Sequence, residues 1–166
     1  MSDLYFEQLV PKKKTGRDMF TKVSLIVLTV LVAIAGLAIP ICFILAIALA
    51  FADYYVIPSL HVEYDYLYVN GELDVTKVIA RSRRKKMLSL DVREMELMAP
   101  AASHRMDYYN HNSKLPVHDY SSGNKPDKTY AMIIPVNQVQ SKVLLELEED
   151  MYDSIYKSAP RKVFND

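Results

Sequence analysis

The sequence predicts a membrane-anchored α+β protein: an N-terminal transmembrane helical hairpin, then an antiparallel β-sheet domain that ends in one amphipathic helix. Three observations predict it. No Asp, Glu, Lys or Arg occurs among the thirty residues 23–52, although both flanks are densely charged. Beyond that stretch the chain alternates with period two on either side of Asn70-Gly71. Near the C-terminus Met151, Tyr152, Ile155 and Ala159 recur at helical spacing. Twenty basic and twenty acidic side chains balance over 166 residues, so charge is segregated along the chain rather than in excess.

Residues 1–19 read as a cytoplasmic N-terminal segment. Lys12, Lys13, Lys14, Arg17 and Lys22 stand just before the apolar stretch, and the positive-inside rule keeps such a flank in the cytoplasm. Residues 20–58 read as the membrane element. A helix needs roughly 20 apolar residues to span the hydrocarbon core, and a buried soluble helix offers about 10 to 14, so thirty exceed both. A signal peptide is the competing explanation, and Ala50-Phe51-Ala52 has the small-residue form of a cleavage site. The apolar run is about twice the 7 to 15 residues of a signal-peptide core, so the segment is expected to stay in place. Cys42 follows the bulky Ile41 and reads as an inert thiol rather than a lipid attachment point.

One continuous helix over residues 23–52 would be about 45 Å long, against a core of about 30 Å. Gly36 and Pro40 offer a way out. Glycine weakens helix locally, and proline removes a donor and clashes with the turn before it. Two helices over residues 20–37 and 39–56, joined by a turn at 36–40, are therefore preferred, with both termini cytoplasmic. The alternative is a single kinked span with an external C-terminal domain. Tyr54 and Tyr55 suit the headgroup-level aromatic belt where the second helix leaves the bilayer.

Residues 59–166 read as the β-rich domain. Val62, Tyr64, Tyr66 and Tyr68 share one face of a strand. Asn-Gly then favours a type I′ turn, which needs positive φ at both central residues. The return strand sets Leu73 against Tyr68 and Val75 against Tyr66, and residues 77–80 extend it. Residues 84–92 alternate Leu88, Leu90 and Val92 with polar neighbours and form a third strand. Residues 92–98 fit strand and short helix equally, and Pro100 ends them. Residues 99–129 form a long loop, unusual in a compact domain, with 116–120 as the place for a concealed strand. Residues 130–134 and 142–147 read as two more strands with a turn near Asn137. The closing helix has Glu148, Glu149 and Asp150 at its start and Lys157, Arg161 and Lys162 at or past its end, in the sense of the macrodipole; Pro160 stops it.

A strand meander closed by one C-terminal helix resembles the pleckstrin-homology-like (PH-like) fold. The residues that carry the likeness are Val62-Glu63-Tyr64-Asp65-Tyr66, Asn70-Gly71-Glu72-Leu73-Asp74, Arg83-Arg84-Lys85, Asp119-Tyr120-Ser121-Ser122-Gly123 and Pro160-Arg161-Lys162-Val163. Together they resemble an uncharacterised family of small bacterial membrane proteins with a PH-like domain after a transmembrane hairpin. The likeness covers most of the chain and implies fold and location; it implies no reaction, ligand or active-site residue.

The chain has no Gly-rich phosphate loop, no paired-cysteine site, no His-Glu-x-x-His and no Gly-x-Ser-x-Gly, so no catalytic residue, metal or cofactor is expected and the chain is not read as an enzyme. His104, His111 and His118 stand seven apart in the long loop, but Pro116 prevents one helix from presenting all three, and a solvated loop is the plainer reading. Arg81, Arg83, Arg84, Lys85 and Lys86 form the best interaction candidate, for anionic lipid headgroups or a partner protein. The same charges on a strand edge also discourage edge-to-edge pairing, and this plainer role is favoured. Tyr108 and Tyr109 are candidate exposed contacts of the loop, with loop packing preferred. Nucleic acid is not expected, since the domain has no basic excess. The expected function is a membrane-anchored, non-catalytic interaction module at the cytoplasmic face, whose partners are membrane lipids, a cytoplasmic protein or other membrane proteins. The alternative is an assembly subunit of a membrane complex, acting through the small helix residues Ala33, Gly36, Ala46 and Ala50.

Overall fold

The structure, a computed structural model, describes residues 5–124 and 126–166. The chain divides into two compact units. One unit gathers residues 13–62 and 79–83; the other gathers 1–12, 63–78 and 84–166.

The first unit is a helical hairpin. Helix α1, Gly16–Ala35, opens with a capping box in which the Thr15 amide donates to the Asp18 carboxylate at 3.0 Å, and α2 is Ile41–Ser59. Their outer ends lie three to four residues beyond the sequence limits, because Thr15 caps α1 ahead of Phe20 and Pro58 is accommodated inside α2 rather than terminating it. The turn lies at residues 36–40, as the Gly/Pro break predicts. Gly36 has an ordinary helical φ of −60°, so its role is close approach: a Cβ there would lie 3.0 Å from both the Ala33 carbonyl oxygen and the Phe43 ring. No residue of α1 is buried, and α2 buries Ala46 and Asp53. Leu31, Ile44 and Phe51 are among the many apolar side chains turned outward. Both helices are long and apolar enough to cross a membrane.

The second unit is built on two four-stranded sheets. In the first, Tyr5–Pro11 (β1), Val62–Val69 (β2), Glu72–Ile79 (β3) and Arg83–Asp91 (β4) lie in sequence order. β1 runs antiparallel to β2, from Tyr5 opposite Val69 to Pro11 opposite Glu63. Residues 5–11 are thus a strand of the sheet, not a plain segment ahead of the helices. Asn70 and Gly71 both have positive φ, 50° and 100°, as a type I′ turn requires, and Tyr66, Tyr68, Leu73 and Val75 are all fully buried.

After a 3-10 turn at Val92–Glu94, the second sheet is formed by Leu97–Pro100 (β5), Val117–Asp119 (β6), Thr129–Val136 (β7) and Val139–Glu146 (β8), in the order β5-β7-β8-β6. Residues 92–98 are therefore first helical and then extended. β6 is the strand concealed in the long loop, but it pairs parallel to β8, with Val117 beside Lys142, so the arrangement is not a pure antiparallel meander. The β7–β8 turn is Asn137-Gln138, again with two positive φ values. A single helical turn, α3 (Asp107–Asn110), occupies part of the loop, and α4 (Glu149–Ser158) buries Met151, Ser154 and Ile155.

Polar pins join these elements. The Tyr66 hydroxyl donates to the Tyr120 carbonyl at 2.6 Å and accepts from the Glu146 amide at 3.4 Å. The Tyr68 hydroxyl lies 3.2 Å from the Ser154 carbonyl oxygen and 2.5 Å from Ser158 Oγ. Gln8, inward on β1, donates to the Glu146 carbonyl at 2.9 Å and accepts from the Glu148 amide at 3.1 Å.

Candidate functional site

The basic run forms the tip and first half of the β3–β4 hairpin. Ala80 and Arg81 make the turn, both at positive φ (53° and 57°), a region where an L side chain costs roughly 1–2 kcal/mol. Two backbone bonds hold it: Ser82 donates to the Ile79 carbonyl at 3.2 Å, and Ala80 donates to the His61 carbonyl at 3.0 Å. His61 lies two residues past the end of α2. Arg81 is more than twenty residues beyond α2 along the chain, a separation that weakens a charge's say in topology, yet this bond brings the tip back beside the helix end.

The tip and the helix end enclose a recess, wholly within the helical unit, lined in part by Tyr54, Tyr55, Pro58, Ile79, Ser82 and Arg83. The two tyrosine rings meet edge to face at 5.5 Å and are strongly exposed. Six basic side chains belong to this unit, Lys13, Lys14, Arg17, Lys22, Arg81 and Arg83, against the acidic Asp18 and Asp53. Asp18 is taken up by the helix cap and Asp53 is buried, so the accessible charge of the unit is positive.

The remaining basic residues sit in the β unit. Arg84 reaches Asp65 at 3.5 Å and Lys86 reaches Asp74 at 2.8 Å. Arg83 and Lys85 are exposed and have no acidic partner among the described residues. The two aspartates differ. Asp65 is 6% exposed, and its Oδ1 has no hydrogen-bond partner among the described residues. Burial above all, then the Glu7 charge, push its carboxyl above the usual range, with Arg84 opposing. Burial also raises Asp74, but hydrogen bonds from Lys86 and Ser89 and the Lys86 charge outweigh it and hold that carboxyl below the usual range.

Tyr108 is strongly exposed. Tyr109 is half-buried, packs on the cluster of Ala99, Met106, Leu115, Ala131 and Ile133, and donates to Glu96 at 2.5 Å. Burial first and the Glu96 bond second push its phenol up to about 12. The three loop histidines stand apart in their contacts. His104 meets Asp107 at 3.1 Å, His111 meets the Asp107 carbonyl at 2.7 Å, and His118 stacks beside Tyr120 at 6.4 Å.

Sequence reasoning missed the one polar pair inside the hairpin. Thr29 Oγ1 lies 2.6 Å from Asp53 Oδ2 and 3.1 Å from the Leu25 carbonyl oxygen. Asp53 Oδ1 is buried without a hydrogen-bond partner among the described residues. The only signal in the sequence is a lone Asp directly after the uncharged run, and nothing in its spacing says which way it points.

A family model described as "Bacterial PH-like domain (DUF6106)" matches residues 2–165. No curated protein and no solved structure matches the chain.

Proposed function

The chain belongs to this bacterial PH-like domain family, and on that premise we propose that it is a non-catalytic interaction module held at the cell membrane by two spans, α1 and α2, with both termini cytoplasmic. Its β unit then meets anionic lipid headgroups or a partner protein at the cytoplasmic face. One observation carries the reading. β1 precedes the helices and β2 follows them, and the two are hydrogen-bonded along seven residue pairs. A single kinked span would set these strands on opposite sides of about 30 Å of hydrocarbon; two spans return the chain to its starting side.

Other features support the same reading. Apolar side chains point outward around both helices, which a core helix of a soluble protein would bury. The basic residues before α1 favour a cytoplasmic flank. Gly36 is filled against Phe43, and Ala46 is buried within the hairpin. Two of the four small residues offered for packing on other membrane helices are thus already used inside this chain, which favours the module over an assembly subunit.

The test is topological. With Cys42 replaced by Ser, single cysteines are placed at the exposed Lys13 and Asn165, and a membrane-impermeant thiol reagent is applied before and after lysis. Both sites should be protected in intact cells and labelled in lysates. Labelling of Asn165→Cys in intact cells would put the β unit outside and overturn the proposal.

A further inference from the structure

We infer that the recess at the end of α2 is a binding site for one anionic phospholipid molecule, its phosphate against the Arg83 guanidinium and the Ser82 hydroxyl and an acyl chain along the exposed face of α2. The inference rests on the membrane-anchored reading above and adds to it a defined ligand and a place.

Four observations lead there. Much of the lining of the recess is aromatic and aliphatic, from Tyr54, Tyr55, Pro58 and Ile79, so a free phosphate ion would find apolar surface with nothing to cover it. Tyr54, Tyr55 and Pro58 belong to the last turns of α2, and Ile47 and Phe51 of the same helix also turn outward; apolar surface therefore continues down the helix where a lipid chain would lie. The lining also includes the polar Ser82 and the cationic Arg83, and the planar guanidinium suits a phosphodiester's paired oxygens. Finally, the accessible charges of the unit are basic, while the next residues of the run, Arg84 and Lys86, are engaged by Asp65 and Asp74. Charge complementarity thus selects an anionic over a zwitterionic headgroup; Lys85, the other exposed cation of the run without an acidic partner among the described residues, does not line the recess.

The turn just before Ser82 and Arg83 is tied by backbone hydrogen bonds. Ala80 and Arg81 hold positive φ without a glycine, and the Ala80–His61 backbone bond anchors them to the chain leaving α2. Arg83 follows a turn whose backbone is already hydrogen-bonded, so its side chain is what remains to be ordered on binding.

Brominated-lipid quenching tests the site. The chain contains no Trp, so Tyr55→Trp in the full-length protein gives a single reporter in the recess. The protein is reconstituted into phosphatidylcholine vesicles doped with brominated phosphatidylglycerol or, in parallel, brominated phosphatidylcholine. Preferential quenching by the glycerol lipid, saturating at low mole fraction, is expected. Adding Arg83→Gln should weaken that preference by about fivefold, the effect of one charge near an anionic surface, while Lys85→Gln leaves it unchanged. Equal loss in both variants would mean a diffuse basic surface and overturn the site while sparing the anchored module. No preference in the parent, or displacement by millimolar inorganic phosphate, would also overturn it. Resistance to carbonate extraction is measured on the same vesicles. If the protein washes off, it is the membrane reading that fails.

Discussion

Replacing Tyr66 by Phe removes one oxygen atom from the centre of the β unit, and the structure says what that atom does. The ring is fully buried, its hydroxyl donates to the Tyr120 carbonyl at 2.6 Å, and the Glu146 amide approaches the same oxygen at 3.4 Å. Burial drives the phenol far above its ordinary range, so it stays a donor throughout the pH range in which the protein folds. Without the hydroxyl, one short hydrogen bond is lost and a carbonyl is stranded. The net worth of a bond is about 1 kcal/mol, and a stranded buried acceptor costs about 1–3 kcal/mol. The 3.4 Å amide contact is long and adds little. We expect Tyr66→Phe to destabilise by about 2 kcal/mol, near 8 °C in Tm for a domain of this size. The assay is thermal unfolding of the full chain in mild detergent, followed by near-UV circular dichroism of the tyrosines. Tyr64→Phe is the comparison. Tyr64 is nearly as buried but packs through its ring, edge to face with Tyr120 at 5.4 Å, and its loss should stay within about 0.5 kcal/mol. Equal Tm shifts in the two variants would refute the pin and leave only aromatic packing.

Three further substitutions probe other parts of the structure. Asp65 has a folded-state carboxyl raised above its unfolded value of 3.8, so the stability it contributes is present below that value and lost as pH rises through the raised one. Asp65→Asn should therefore be more stable than the parent at pH 7 and flatten the decline above pH 4; urea titrations at several pH values measure this, and a less stable variant at pH 7 would mean that the Arg84 pair dominates. Gly36→Leu drives a side chain into the Ala33 carbonyl and the Phe43 ring and should reduce the membrane-inserted fraction after carbonate extraction, with partial recovery on adding Phe43→Ala, which leaves the backbone clash. Ala80→Gly relieves an alanine held at φ 53° and should raise Tm by a few degrees, corresponding to at most about 1 kcal/mol.

How much of this was legible in the sequence depends on whether the signal was local. The β2–β3 hairpin could be read because Asn-Gly fixes the turn and the tyrosines alternate cleanly. The helical break could be read because Gly and Pro act on their own turn. β1 could not. Phe6, Gln8 and Val10 point inward while Tyr5 and Leu9 are exposed, so apolar residues occupy both faces, and the inward Gln8 looks like a solvent position until its partners at Glu146 and Glu148 are known. The basic run was visible as composition, but its proximity to α2 depends on the bond from Ala80 to His61. Asp65 and Asp53 show the same limit. A carboxylate in a strand or near a helix end reads as exposed, and only tertiary packing turns it inward.

The position of β1 has a consequence for how the chain reaches its native state. Fifty residues separate Pro11 from Val62, and in water closing such a loop carries a substantial entropy cost. In a membrane the cost depends on the number of crossings: two antiparallel helices return the chain to its starting side, whereas one span holds the strands apart. A chain inserted with a single span therefore cannot form the β1–β2 ladder. It leaves an edge of β2 unpaired, with Tyr66 and Tyr68 in that strand, and it strips the Glu146 carbonyl and the Glu148 amide of their Gln8 partners. An open edge of this kind pairs readily with other chains, so wrong insertion and failure of the β unit are coupled. Replacing Gln8 by Leu separates the two causes. It keeps the strand apolar and both helices intact, so topology should not change, while the loss of the two Gln8 hydrogen bonds should cost about 1–3 kcal/mol together. Thiol labelling at Asn165 and unfolding of the same variant decide the matter: altered labelling would mean that β1 pairing helps choose the topology, and unaltered labelling with lowered stability would mean that the hairpin inserts first and the sheet closes afterwards.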